Sequence, residues 1–330
     1  MSAAIEQGDS FPAVLISDPQ VVVVGSINLD IVVRAPRHPR PGETILGTGV
    51  AEYPGGKGAN QAVAAARDGA TVRMIARIGG DDRGAKLRDA LESEGIDVSQ
   101  VGVCNHDPTG LALITVDDAG ENTIVVVSGA NHKIRGVHIS DAVDAGALGG
   151  VTVLLAQLEC PLDVVTRSFD AARANHVVTV LNAAPAIPLD EGVLALVDVL
   201  VVNEHELSIV TGVAERGVAI ERALRFVPSV VVTLGAMGTT FATRSSDGSI
   251  IQREVGAFAV TPVDTTAAGD AFCGVLAVAL ARGESLGAAV VRANAAGALA
   301  TTRAGAQPSL PTFDEIESLI AAQSNVVRRG

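Results

Sequence analysis

The chain repeats one unit: a short, unbroken run of β-branched residues, then an Ala-rich stretch with helical spacing. The runs are Val21 to Val24, Val72 to Ile75, Val151 to Leu155, Val177 to Leu181, Val199 to Val202 and Val230 to Leu234, with Gly, Asn or Pro close by. A strand with one wet face alternates apolar and polar residues, so continuous runs require burial on both faces. Helical spacing marks Ala59 to Asp68, Ala85 to Glu94, Leu162 to Ala174 and Ile220 to Phe226, and later Gly269 to Ala281, Leu286 to Thr301 and a last helix from Phe313. Strand then helix, repeated, predicts an α/β fold: a doubly wound, mostly parallel sheet flanked by helices.

Two regions break this rhythm, Ile31 to Tyr53 and Leu111 to Ser128. The second reads as a hairpin, Leu111 to Val116 and Asn122 to Val127 about the turn Asp117-Asp118-Ala119-Gly120. Together they predict a small antiparallel β-sheet, attached to the main domain by two crossings and placed to act as a lid. The expected organisation is a main domain of residues 21–30, 54–110 and 129–322, a lid of 31–53 and 111–128, and flexible ends at 1–20 and 323–330.

Composition narrows the function. The 330 residues carry 24 Lys and Arg against 37 Asp and Glu, a net charge of −13, and only eight aromatic side chains. That balance excludes a general nucleic-acid binder, which needs basic surface and stacking platforms. Cys104, Cys160 and Cys273 are far apart and odd in number, so they are expected reduced and buried. With no apolar stretch long enough for a membrane helix, no membrane association and a cytoplasmic location are expected.

Four segments carry chemistry. In Asp264-Thr265-Thr266-Ala267-Ala268-Gly269-Asp270, small residues lead into an apolar helix. Free N–H groups there would face an anion, and Asp270 could accept a hydroxyl proton. A first-turn Asp that only complements the helix dipole fits the stretch equally well. Gly55-Gly56-Lys57-Gly58-Ala59-Asn60-Gln61 opens a helix closing at Gly69, and it is not a Walker A loop, because Gly58 follows Lys57. In Gly25-Ser26-Ile27-Asn28-Leu29-Asp30, Asn28 and Asp30 face one side, as a polyol site or a solvated strand end would have them. Asn203-Glu204-His205-Glu206 is a capping box by its spacing, and alternatively a holder of waters on a phosphate-bound Mg²⁺. The missing G-x-G-x-x-G disfavours a nicotinamide oxidoreductase, and no zinc spacing or nucleophile elbow occurs.

Together with Gln157-Leu158-Glu159, Thr233-Leu234-Gly235 and Gly305-Ala306-Gln307-Pro308-Ser309, these segments resemble the ribokinase branch of the phosphofructokinase B family of carbohydrate kinases, from about Val21 to about Ser309. The resemblance implies ATP-dependent phosphorylation of D-ribose on its 5-hydroxyl. It makes Asn28, Asp30, Gly55, Gly56, Lys57, Asn60 and Glu159 the sugar-binding set, Asp270 the base, and Ala267, Ala268 and Gly269 the anion hole. Asn203, Thr233, Gly235, Gly238, Gly269 and Asn294 would line the nucleotide site, with Asn203 and Glu206 near Mg²⁺. A K⁺ ion would take Asp264, Thr266, Ala300, Arg303, Gly305 and Ser309, several through carbonyls. Where the wider family has Gly, Ala267 matches the ribokinase branch. The resemblance also implies a homodimer through paired lids. The alternatives are the same chemistry on deoxyribose, a ketohexose or a nucleoside, and a sugar-binding regulator without turnover.

Overall fold

Successive side chains of a strand point to opposite faces, so a run such as Val21 to Val24 needs an apolar layer on each side. The computed structural model, which describes residues 18–245 and 247–327, supplies both. In chain order the elements are β1 (Gln20–Val24), β2 (Asn28–Arg34), β3 (Gly49–Gly55), α1 (Lys57–Arg67), β4 (Thr71–Gly79), α2 (Asp82–Ser93), β5 (Asp97–Cys104), β6 (Gly110–Val116) and β7 (Asn122–Val127). There follow α3 (Gly136–Asp144), β8 (Val153–Gln157), α4 (Leu162–Ala174), β9 (Val178–Asn182), α5 (Glu191–Leu194), β10 (Val199–Asn203), α6 (Glu204–Thr211) and α7 (Arg216–Ala223). The chain finishes with β11 (Ser229–Thr233), β12 (Thr239–Arg244), β13 (Ile250–Val255), α8 (Ala268–Ala281), α9 (Leu286–Ala300) and α10 (Phe313–Val327).

Nine strands form the main sheet in the order β13-β12-β11-β10-β9-β8-β1-β4-β5. Pairing is parallel from β11 through to β5, and antiparallel only at the β11–β12 and β12–β13 edge. Val21 and Val23 enter the core layer built with α1, α2, α8 and α9, while Val22 and Val24 enter the opposite layer with α3, α4, α6 and α7. From β1 the chain fills one side of the sheet with β4 and β5, then returns to fill the other from β8 onward. This reversal leaves a crevice at the carboxyl ends of β1 and β8, where open α/β sheets bind ligands.

The second sheet has the order β3-β2-β6-β7. Its outer pairs are antiparallel, but β2 and β6 at its centre run parallel, so it is mixed rather than purely antiparallel. The reason is geometric: β2 follows β1 and β6 follows β5, and these parallel strands leave the main sheet at the same edge. Pairing begins at Asn28 with Gly55 and Gly110, so the small sheet starts before Ile31 and Leu111. Each excursion leaves and re-enters, which makes four passages where the spacing indicates two.

Other differences have local causes. The edge strand β5, Asp97-Val98-Ser99-Gln100-Val101, mixes polar residues with its valines and has no continuous run to announce it. Cys104 ends it half-buried, whereas Cys160 and Cys273 are buried, and all three are free thiols. Gln20 already belongs to β1, and α10 continues to Val327, past the expected end at residue 322. The rest of the expected flexible ends, 1–17 and 328–330, lies outside the described residues. Among the described residues no helix is long and apolar enough to cross a membrane.

Candidate active site

The site begins with a close helix contact. A Cβ on Gly274 would lie 2.5 Å from the Gln61 carbonyl oxygen and 2.7 Å from Ala64 Cβ, so α1 and α8 touch backbone to backbone. Their amino-terminal ends therefore lie side by side, and Asp270, in the first turn of α8, meets α1. Asn60 Nδ2 donates to one Asp270 oxygen at 2.9 Å, and Gln61 Nε2 donates to the other at 3.0 Å. Gln61 Nε2 also reaches Asn182 Oδ1 at 3.0 Å, and Gln157 Nε2 donates to Gln61 Oε1 at 2.6 Å. Asp270 is only 6% exposed, so these amides fix a buried carboxylate in one orientation. Asn60 Oδ1 is buried without a partner among the described residues.

The turn before α8 is unusual. Ala267 sits at φ +59°, a left-handed conformation that costs a non-glycine residue about 1 kcal/mol. It caps the helix without a side-chain hydrogen bond, and the Gly269 and Asp270 N–H groups have no acceptor among the described residues. A Cβ on Gly269 would meet nothing within 4 Å, so there is open space beside this turn. An anion can approach the turn there.

The β1–β2 turn closes the other wall. Gly58 passes so near it that a Cβ would lie 2.5 Å from the Ser26 nitrogen. Glu159 accepts from the Ser26 hydroxyl and from the Lys57 N–H at 3.1 Å. Asn28 and Asp30 are both buried, and a Cβ on Gly55 would lie 2.1 Å from Asp30 Oδ2. Gly56 adopts φ +89°, with a would-be Cβ 2.8 Å from the Asn28 nitrogen. Burial, then the negative charges of Glu159 and Asp270, push the Asp30 carboxyl from 3.8 up to about 7. Asp270 foremost, with Glu159 and Glu206 adding to it, raises Lys57 against the effect of its burial, so Lys57 stays an ammonium. These contacts make neighbours of the eight residues of the expected sugar set, Asp270 included.

The expected nucleotide residues lie farther along the carboxyl edge. Asn203 and Glu206 form the reciprocal capping box, each side chain accepting the other's N–H at 2.8 Å, so the structural reading of that motif holds. Thr233 ends β11, and Gly235 and Gly238 both have positive φ, the latter pressed against the Val255 carbonyl. Asn294 is engaged: it accepts from Thr239 Oγ1 at 2.6 Å and its Nδ2 faces the Val255 and Gly256 carbonyls.

Of the expected K⁺ group, Asp264 accepts the N–H groups of Thr266 and Gly305, both at 2.9 Å, which joins two loops. Burial alone would raise the Asp264 carboxyl, but these bonds, with the nearby Arg34, hold it below its usual value. Ser309 is buried and donates to the Ala306 carbonyl, Ala300 is buried in α9, and the Arg303 side chain turns away to pair with Glu315. Asp264, Thr266 and Gly305 border a cavity of about 590 Å³ between the small sheet and loops 262–266 and 304–306, together with Asp30, Tyr53 and Ile114. The sequence assigned no role to Gln61, Gln157, Asn182 or Asn131; Gln61 and Gln157 stood inside quoted motifs, but nothing local announces the other two.

The model of the "pfkB family carbohydrate kinase" matches residues 18–313. The ribokinase of Haemophilus influenzae is 40% identical over 304 residues, covering 89% of this chain and 96% of its own length. That of Bacillus subtilis is 37% identical over 302 residues, covering 91% and 99%. The Arabidopsis thaliana ribokinase, solved with ribose and ATP, superposes with a TM-score of 0.83 at 32% identity, over 92% of this chain and 99% of that one. With the family pattern running almost end to end and relatives aligned over nearly their whole length, the chain belongs to the pfkB family of carbohydrate kinases.

Proposed function

We propose that this protein is an ATP-dependent ribokinase that phosphorylates the 5-hydroxyl of D-ribose. The observation that carries the reading is Asp270: a buried carboxylate, aimed by two amides, in the first turn of a helix whose Gly269 and Asp270 N–H groups have no acceptor among the described residues. Asp270 accepts the proton of the sugar hydroxyl while that oxygen attacks the γ-phosphorus of ATP. The bond from phosphorus to the bridging oxygen breaks, and its electron pair leaves with ADP. Charge that develops on the phosphoryl oxygens is met by the Lys57 ammonium and by the turn Ala267, Ala268 and Gly269, where the Ala268 N–H, now 3.3 Å from the Thr265 carbonyl, would exchange that acceptor for the phosphoryl group. Asn28, Asp30, Gly55, Gly56, Lys57, Asn60 and Glu159 hold the sugar, and the unpartnered Asn60 Oδ1 suits a hydroxyl donor.

Asn203, Thr233, Gly235, Gly238 and Asn294 line the nucleotide site, Asn294 by fixing β12 and β13 beneath it. Among the described residues no three His, Cys, Asp or Glu converge as a metal cage, which fits Mg²⁺ carried mainly by phosphates and waters with Asn203 and Glu206 nearby. Asp264, kept ionised by the Thr266 and Gly305 N–H groups, suits K⁺ with Thr266, Ala300, Arg303, Gly305 and Ser309. Bound there, these cations would supply charge neutralisation. The small sheet is the lid, excluding water when sugar is bound. Its strand β7 exposes Val125 and Val127 at 61% and 46%, an apolar edge that a second copy of the chain would cover as a homodimer. Unpaired cysteines fit a cytoplasmic location.

The test is coupled ADP release with ATP, Mg²⁺ and a panel of pentoses, hexoses and nucleosides, with and without K⁺, for wild type and Asp270→Asn. Ribose-dependent turnover, stimulated by K⁺ and reduced ~10²-fold or more in the variant, supports the assignment. Preference for another sugar replaces ribose, and no turnover on any acceptor refutes the kinase reading.

A further inference from the structure

We propose that Asn131 is a positioning residue that makes Asn28 a hydrogen-bond donor to the sugar; the proposal rests on the kinase reading of the same site. Asn131 lies in the 3-10 turn Gly129–Lys133, where the chain returns from β7 to the main domain, and it is 2% exposed. Its Oδ1 accepts the Ile27 N–H at 2.9 Å, and its Nδ2 donates to the Ile27 carbonyl at 3.2 Å and to Asn28 Oδ1 at 2.7 Å.

This arrangement has only one consistent orientation. A backbone N–H can only donate and a carbonyl can only accept, so the two Ile27 bonds dictate which end of the Asn131 amide is which. Nδ2 then faces Asn28, and Asn28 must answer with its oxygen. The remaining polar group of Asn28, its Nδ2, has no acceptor among the described residues. It is left to donate to a ligand oxygen, and Asn28 cannot flip without setting two N–H groups against each other in a buried site.

The surroundings leave no slack. A Cβ on Gly110 would lie 2.1 Å from Asn28 Oδ1 and 2.3 Å from Asn131 Nδ2, while one on Gly129 would lie 2.3 Å from the Pro108 carbonyl. Three of the four passages between the sheets therefore converge on the Asn131 amide. Asn28 acquires its chemical identity, donor rather than acceptor, from a residue about a hundred positions away that does not itself touch the sugar.

Steady-state kinetics on the sugar that wild type turns over test this, with thermal unfolding alongside. Asn131→Ala frees the Asn28 amide and is expected to raise the sugar KM about tenfold, with kcat and the ATP KM nearly unchanged. In an Asn28→Ala background the same change should add nothing, because its effect passes through Asn28. Asn28→Asp keeps the bond from Asn131 but exchanges the free donor for an acceptor, and should lose sugar affinity as Asn28→Ala does. This variant leaves Asn131 in place and so decides the matter even if Asn131→Ala does not fold. A wild-type KM in Asn28→Asp, or an equal rise from Asn131→Ala in both backgrounds, would overturn the proposal. Absence of any sugar turnover by wild type would instead overturn the kinase reading.

Discussion

Replacing Asp30 by Asn tests the electrostatics of the crevice without touching the base. The Asp30 carboxyl is pushed up to about 7 by burial and by the charges of Glu159 and Asp270, whereas in an unfolded chain it titrates near 3.8. Between those values the folded protein retains a proton that the unfolded chain has released. Stability is therefore highest below the unfolded value and falls as pH rises toward about 7, beyond which the loss is complete. The gap is about 3 pH units, and at about 1.4 kcal/mol each it sets an upper limit of roughly 4 kcal/mol. Relaxation of the apo crevice and its remaining solvent contact reduce this to ~2–3 kcal/mol. Asn has the same shape and is neutral at every pH, so Asp30→Asn should be more stable than wild type by that amount near about pH 8, and by much less near about pH 4. Urea denaturation of the sugar-free protein at the two pH values measures the difference, and the other carboxylates largely cancel in the comparison. A stability difference that does not change with pH would refute the reasoning.

Further outcomes follow from other contacts. Gly55→Ala would force a methyl against the Asp30 carboxylate, 2.1 Å away, and should raise the sugar KM by ~10-fold or more with the circular dichroism unchanged. Asp264→Asn should abolish the response of kcat to added KCl, read from a salt titration at constant ionic strength. Asp68 is fully buried between Arg282 and Arg292, so Asp68→Ala removes the carboxylate they share, leaves Arg292 with Glu317 and Arg282 with the backbone carbonyl of residue 68, and should cost ~2–4 kcal/mol in urea unfolding. Val125→Lys with Val127→Lys should convert a dimer to a monomer in analytical ultracentrifugation, while the chain still folds.

The alternation of β-branched runs with Ala-rich helices was enough to determine the main architecture, because residues buried on both faces admit little besides a parallel sheet between helical layers. Local chemistry was legible too: Gly56 and Gly58 stand in a cluster that signals close backbone approach, and Asn203 with Glu206 makes the capping box that its spacing spells. The edge strands β5 and β13 were not, since a half-exposed strand carries polar residues and loses the continuous signature, and neither was the buried β12, whose run is broken by Thr239, Thr240 and Thr243. Nor did any local pattern reveal the parallel β2–β6 pair, which depends on two excursions leaving the same edge of the main sheet. Partners distant along the chain were hidden for a related reason. Gln61 meets Asp270, Gln157 meets Gln61, and Asn131 meets Asn28, only after strands and helices separated by about a hundred residues or more have packed. An amide side chain reads the same in any sequence. Which of its ends faces a ligand, and whether a carboxylate such as Asp30 keeps its proton, depends on neighbours and burial that only the tertiary structure brings together.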